Sequence, residues 1–318
     1  MSQLGIHFAS SPRHDGFKAY LKQAADAGSP FAVVFALDQN IQPDIDAVSP
    51  QTVTVFRHQH RPNPNKDGLD DAPLGQGDPY TVGVQWFMQS ERVFKLNQGF
   101  SFYSCTNELN PKTSDDHQWA AAYWLAQMQT ADMLGRSIVW GNFSPGNPEP
   151  EDWITYYREC LLYSAQYGHV LGLHEYGLGY GSLRASADHG LALRYRTVYD
   201  TVLSMGLMCP QLLVSECGSG SYVAARDLED VKWYDSQLMA DKRSGVPLIG
   251  AALYQWGGNE AGEFAALMPA LAQYVAGHPT TMSEMVTFNG VIHRQYMAEL
   301  SEYVTTRGGQ VTAFASEA

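Results

Sequence analysis

The sequence predicts an α/β protein: a single (β/α)8 barrel over residues 1–278, followed by a C-terminal tail. Three observations predict it. Eight short apolar runs, rich in β-branched and aromatic residues, recur along the chain. Segments with helical spacing fall between them, and polar and aromatic residues gather just after the runs. Near-continuous apolar runs mark parallel strands buried on both faces. Strand then helix, eight times over, implies right-handed crossovers and closes most simply as a barrel. An open, doubly wound sheet fits less well. No G-x-G-x-x-G follows the first run, and the polar residues cluster after many strands rather than at one switch point.

The predicted strands are Leu4–Ala9, Phe31–Leu37, Thr52–His58, Phe100–Thr106, Ser137–Asn142, Val170–Tyr176, Gln211–Glu216 and Ile249–Trp256. Phe17, Leu21, Ala24 and Ala25 set the first helix. The interval 40–50 leaves room for one or two turns. Val84, Phe87, Met88, Val93 and Phe94 set the third helix. The fourth opens on Ser114-Asp115-Asp116, a capping signal, and stops at Gly135. The remaining helices are expected over 151–168, 186–206, 227–245 and 263–277. Residues 279–318 form a tail with a short helix near 296–304. It is a helix packed on the barrel, a linker, or an oligomer arm, and the oligomeric state stays open.

In such barrels chemistry gathers at the C-terminal ends of the strands. There stand His7 on strand 1, Arg57-His58-Gln59-His60 on strand 3 and Asn107-Glu108 on strand 4. Trp140, Asn142 and Phe143 follow on strand 5, His174-Glu175-Tyr176 on strand 6, Glu216-Cys217 on strand 7 and Trp256 on strand 8. Strands 4 and 7 lie across the barrel from each other, so Glu108 and Glu216 can converge on one ligand. Two such carboxyls, one protonated and one ionised, are what cleavage of a glycoside with retention requires.

Asn-Glu closing strand 4, Glu closing strand 7, His-x-Tyr closing strand 6 and Trp closing strand 8 resemble the clan of (β/α)8 retaining glycoside hydrolases, which includes cellulases, mannanases and β-galactosidases. The resemblance covers about residues 4–278. It implies Glu108 as acid/base, Glu216 as nucleophile, Asn107 on the sugar 2-hydroxyl, Tyr176 hydrogen-bonded to the nucleophile and Trp256 as the floor of the −1 subsite. Arg57 or His58 would match the basic residue the clan carries near the nucleophile. His174 and Asn142 are further expected substrate contacts, as are Tyr180 and Tyr222 in Gly-rich loops on the same face. Neither a cofactor nor a metal is implied. The substrate class is a β-linked oligo- or polysaccharide.

Plainer readings stand beside these. Strand-end carboxylates can cap helices or meet arginines. Glu175 alternates with His174 and Tyr176 and so faces the other way, as a structural partner. Cys217 is packing, and the four cysteines, none in a C-x-x-C pair, are expected as buried free thiols. His7 is an inner-barrel residue that can line the floor. Trp140 and Phe143 either stack sugars or fill the barrel top. The spacing of His58 and His60 allows a metal pair, hence a metal-dependent hydrolase as one alternative. A catalytically inert carbohydrate-binding barrel is another.

The balance of 20 Lys+Arg against 33 Asp+Glu argues against a nucleic-acid partner. No run of about 18 apolar residues predicts a membrane span. No basic-apolar-small leader pattern opens the chain, which predicts a cytosolic protein or a domain cut from a secreted or phage-borne parent. The long loop at 59–79 and the proline-rich loop at 144–150 are expected to wall a groove, which favours internal cleavage of a chain.

Overall fold

The computed structural model describes residues 1–9, 14–37, 40–59, 74–219, 227–256 and 261–279. The strands are β1 (Leu4–Phe8), β2 (Val33–Ala36), β3 (Val53–Arg57), β4 (Phe102–Ser104), β5 (Val139–Phe143), β6 (Val170–Tyr176), β7 (Gln211–Gly218) and β8 (Leu248–Trp256). All pair in parallel, in the order β4-β3-β2-β1-β8-β7-β6-β5. The ring closes between β4 and β5 through one bridge, Tyr103 to Ile138, with Tyr103 N–H donating to Ser137 O at 3.1 Å. The expected barrel is thus observed. No helix among the described residues is long and apolar enough to cross a membrane.

The helices are α1 (His14–Asp26), α2 (Gln42–Val48), α3 (Pro79–Phe94), α4 (Ser114–Met133), α5 (Pro150–Tyr156), α6 (Arg158–Tyr167), α7 (Leu183–Ala187), α8 (Arg194–Ser204), α9 (Leu228–Arg243) and α10 (Ala261–Ala276). Two expected helices are broken. The interval 151–168 divides at Tyr157, and 186–206 divides into α7 and α8 around a loop at 188–193. The cap of α4 is Thr113 rather than Ser114: its hydroxyl accepts from Asp116 N–H at 3.2 Å, while Asp116 Oδ2 accepts from Thr113 N–H at 3.0 Å. That reciprocal capping box satisfies two otherwise orphaned donors. From residue 280 on, the expected tail lies outside the described residues.

The core has two layers. Val33, Phe35, Val55, Val139, Val170, Leu213, Ile249 and Ala252 fill the barrel interior. Leu4, Ile6, Phe8, Phe17, Leu21 and their neighbours fill the space between sheet and helices. Trp140 and Phe143 belong to this outer layer, edge-on to Trp153 at 6.4 and 5.3 Å. That pair therefore neither stacks sugars nor fills the barrel top: it packs the sheet against its helices. The four cysteines are buried and free.

Glu175 shows what the outward side of β6 does. It is fully buried and accepts from Leu193 N–H at 2.7 Å, Tyr195 N–H at 3.0 Å and the Tyr234 hydroxyl at 2.5 Å. The first two donors lie at the N-terminus of α8, where the helix dipole favours a carboxylate. Burial raises the Glu175 carboxyl, and these donors oppose the rise. The residue therefore pins α8 to the barrel and takes no part in the cleft.

Candidate active site

The segment after β4 turns sharply. Glu108 sits at φ 40°, and its N–H donates to Asn142 O at 3.2 Å. This left-handed backbone, uncommon in a residue with a Cβ, lifts the carboxylate over the barrel mouth. Glu108 Oε1 lies 2.8 Å from His174 Nδ1. The same nitrogen lies 3.6 Å from Glu216 Oε2. Those two legs, 2.8 and 3.6 Å, cap the separation of the two carboxylate oxygens at 6.4 Å.

Glu216, on β7, is 3% exposed and closely attended. Arg57 Nη1 donates to Oε1 at 2.9 Å, and His7 Nε2 stands 3.3 Å from the same oxygen. The Tyr176 hydroxyl donates to Oε2 at 2.9 Å. Burial would raise the Glu216 carboxyl, but His174, His7 and Arg57 outweigh it and hold the group well below the usual carboxylate range. Burial lowers His7 below the ordinary imidazole range. Burial, reinforced by Glu216, pushes the Tyr176 hydroxyl up and keeps it a donor. Arg57 Nη1 also donates to Asn107 Oδ1, which fixes that amide beside Glu108.

The structure thus brings together Glu108, Glu216, Asn107, Arg57, His174 and Tyr176, and adds His7. Three other expected residues stand elsewhere. His58 turns outward, its Nδ1 3.1 Å from Ser90 Oγ and its ring edge-on to Phe94 of α3. Strand alternation explains this: Val53, Val55 and Arg57 share the inner face, so His58 must take the outer one. Asn142 is fully buried, with its amide engaged by Ser104, Thr106 and Ser215, and is not a substrate contact. Trp256 packs in the outer layer, its ring 5.8 Å from Phe17 and 6.1 Å from Tyr20 of α1.

The aromatic at the barrel mouth is instead Tyr254. Its ring lies 5.3 Å from His7 and 6.0 Å from Tyr176, and it is only half-buried on an otherwise buried strand. The register explains the exchange. Ile6 pairs with Leu253 but Phe8 pairs with Trp256, so β8 carries one residue more than β1 across this step. Such a bulge reverses the facing of the residues beyond it.

Tyr180, in a 3-10 turn (Leu178–Tyr180) after β6, is 46% exposed and stacks on His189 at 3.9 Å and 9°. Tyr222 and His60 lie outside the described residues. Among those described, no group of His, Cys, Asp and Glu is arranged to hold a metal. The 144–150 loop is anchored beside the site, with Asn147 Nδ2 donating to Asn110 Oδ1 at 2.5 Å and to Pro111 O at 3.2 Å.

No protein-family model matches the chain. No curated protein sequence matches it either. Solved structures do resemble it. A β-D-glucuronidase from Dictyoglomus thermophilum aligns with TM-score 0.51 and 9% identity, over 87% of this chain and 51% of that one. A family 2 β-galacturonidase from Eisenbergiella tayi, solved with galacturonate bound, gives 0.51 and 12%, over 88% and 52%. A β-glucuronidase from an uncultured Clostridium species gives 0.50 and 10%, over 86% and 50%. The chain spans about half the length of each. At such identities the likeness is one of fold alone, a (β/α)8 barrel.

Proposed function

We propose that this chain is a retaining glycoside hydrolase acting on a β-linked oligo- or polysaccharide. The observation that carries the reading is the carboxylate pair. Glu108, beyond β4, and Glu216, on β7, meet at one histidine nitrogen, with two of their oxygens no more than 6.4 Å apart. Retaining glycosidases hold their carboxyls at about 5–5.5 Å, whereas inverting enzymes leave roughly 6.5–9.5 Å for a water. A barrel that only bound sugar would need its aromatics but not two carboxyls at this spacing.

In this chemistry Glu216 attacks the anomeric carbon as Glu108 protonates the departing oxygen. The glycosyl ester on Glu216 is then cleaved by water, whose proton Glu108 accepts, and the free carboxylate of Glu216 returns. Tyr176 and Arg57 hold the nucleophile's two oxygens apart and aimed. Asn107, with Oδ1 fixed by Arg57, has Nδ2 for the sugar 2-hydroxyl. Tyr254 forms the floor under the reacting ring. Tyr180, backed by His189, offers a flat face further along the cleft, and the anchored 144–150 loop supplies a wall for an extended chain. The test is the stereochemistry of the first product. Proton NMR during cleavage of a β-glycoside is expected to show the β-anomer before mutarotation. An α-anomer appearing first refutes retention, and no turnover on any member of a broad panel of aryl β-glycosides and β-glucans favours a binding barrel.

The exchange of aromatic roles gives a second prediction. Tyr254→Ala is expected to lower kcat/KM about tenfold or more, from roughly 1.5 kcal/mol of lost ring contact. Trp256→Phe should leave kinetics near wild type and cost about 1–3 kcal/mol in urea denaturation, as a core truncation. The opposite pattern restores Trp256 as the floor.

A further inference from the structure

We infer that Asn142 and Ser215, which do not reach the cleft, form a tie across the barrel that sets the spacing of Glu108 and Glu216. The inference rests on the roles proposed above for those carboxylates. It starts from the weakest joint of the ring. β4 contributes three residues, and among the described residues it meets β5 through the single bridge at Tyr103. Glu108 stands four residues beyond the end of β4, where no ladder holds it. Asn142 supplies what the ladder lacks. Its carbonyl accepts from Glu108 N–H at 3.2 Å, and its Nδ2 donates to Ser104 Oγ at 2.9 Å and Thr106 O at 3.0 Å. On the far side its Oδ1 accepts from Ser215 Oγ at 2.7 Å. Ser215 immediately precedes Glu216. One side chain on β5 therefore connects the backbone of the acid's segment to the residue beside the nucleophile, across β6.

Four local features make this reach possible. Gly141 and Asn142 adopt φ of 86° and 45°. The β5–β6 register skips there: Gly141 pairs with Gly172 and Phe143 with Leu173, which turns Asn142 into the barrel. Gly172 clears the path, since a Cβ on it would fall 2.2 Å from Asn142 Oδ1. Ser215 lies in a second skip, between the pairs Leu173–Val214 and His174–Glu216. A positive φ on a residue with a Cβ costs on the order of 1 kcal/mol or more, and it persists only where surrounding contacts enforce it. Asn142, Ser104, Thr106 and Ser215 are all buried. Asn142 and Ser215 thus act through the carboxylates as positioning residues.

Displacement of a reacting group by about 1 Å costs on the order of a hundredfold in rate. With a 4-nitrophenyl β-glycoside that the wild type cleaves, Ser215→Ala is expected to lower kcat about tenfold while KM stays within about twofold and circular dichroism is unchanged. Ser215→Thr keeps the hydroxyl and should retain most of kcat. Asn142→Ala should lose about a hundredfold in kcat. If it does not fold, the Ser215 pair decides the matter. A folded Ser215→Ala variant with wild-type kcat, with its loss confined to KM, or with a loss that Ser215→Thr shares in full, overturns the tie. Glu216→Gln is run alongside. If it stays active, the functional reading itself fails and the tie with it. If it is inactive while Ser215→Ala is fully active, only the tie fails.

Discussion

Glu216→Gly is expected to lose turnover by on the order of 10⁴-fold or more while keeping its fold, since removal of a covalent nucleophile leaves only binding and electrostatic assistance. The fold should survive because Arg57, the buried cation left behind, still donates to Asn107 Oδ1. The glycine also opens a hole the size of a carboxylate. Azide can occupy it and attack the anomeric carbon from the vacated face, with Glu108 protonating the leaving group as before. From a β-glycoside this yields an α-glycosyl azide, detectable by NMR. Rescue that gives the β-azide would place the nucleophile elsewhere, and an unimpaired Glu216→Gly variant would remove it from the mechanism.

Glu108→Gln should lose about 10²–10⁴-fold in kcat/KM, the usual worth of a positioned proton donor, but only on substrates that need one. An alkyl glycoside leaves poorly without protonation. A 2,4-dinitrophenyl glycoside leaves well as the anion, and its first step should be almost spared. The second step still requires a base, so the glycosyl-enzyme should accumulate and give a burst of dinitrophenolate. Equal losses on both substrates, with no burst, would mean that Glu108 serves only to shape the site. His174 is part of this prediction, because its Nδ1 touches both carboxylates. The glutamine keeps a carbonyl oxygen for that contact, so the effect read is that of the proton.

Much of this arrangement is legible in the sequence for a simple physical reason. Strands buried on both faces read as apolar runs, and the residues closing them are then counted rather than guessed. Glu108, Glu216, Asn107, Tyr176 and His174 emerge this way. The residues that the sequence misplaces sit next to a change of facing. His58 adjoins Arg57, and alternation from Val53 and Val55 is signal enough to choose between them. Trp256 and Asn142 differ in kind. Each lies at a register skip, and a skip arises from how two distant strands align, which no local pattern carries. Tyr254 stays hidden because Trp256 shares its parity in a regular strand. The helix breaks at Tyr157 and 188–193 are hidden similarly, since apolar spacing on either side stays compatible with a single helix. The cap at Thr113 loses to Ser114 by one position, both being good capping residues.

The crowd of partners around Glu216 has a meaning over a whole turnover. In the resting protein Arg57, 4% exposed, and the Glu216 carboxylate form a nearly neutral pair. Under the proposed chemistry the ester on Glu216 erases the negative member while the guanidinium keeps its charge. An unbalanced charge in a desolvated pocket is costly. The covalent state avoids it: Glu108, having given its proton to the leaving group, is then the carboxylate, so the negative charge passes from one side of His174 to the other and hydrolysis returns it. The two carboxyls thus share one negative charge through the whole turnover, and Arg57 always has a carboxylate in the same cleft.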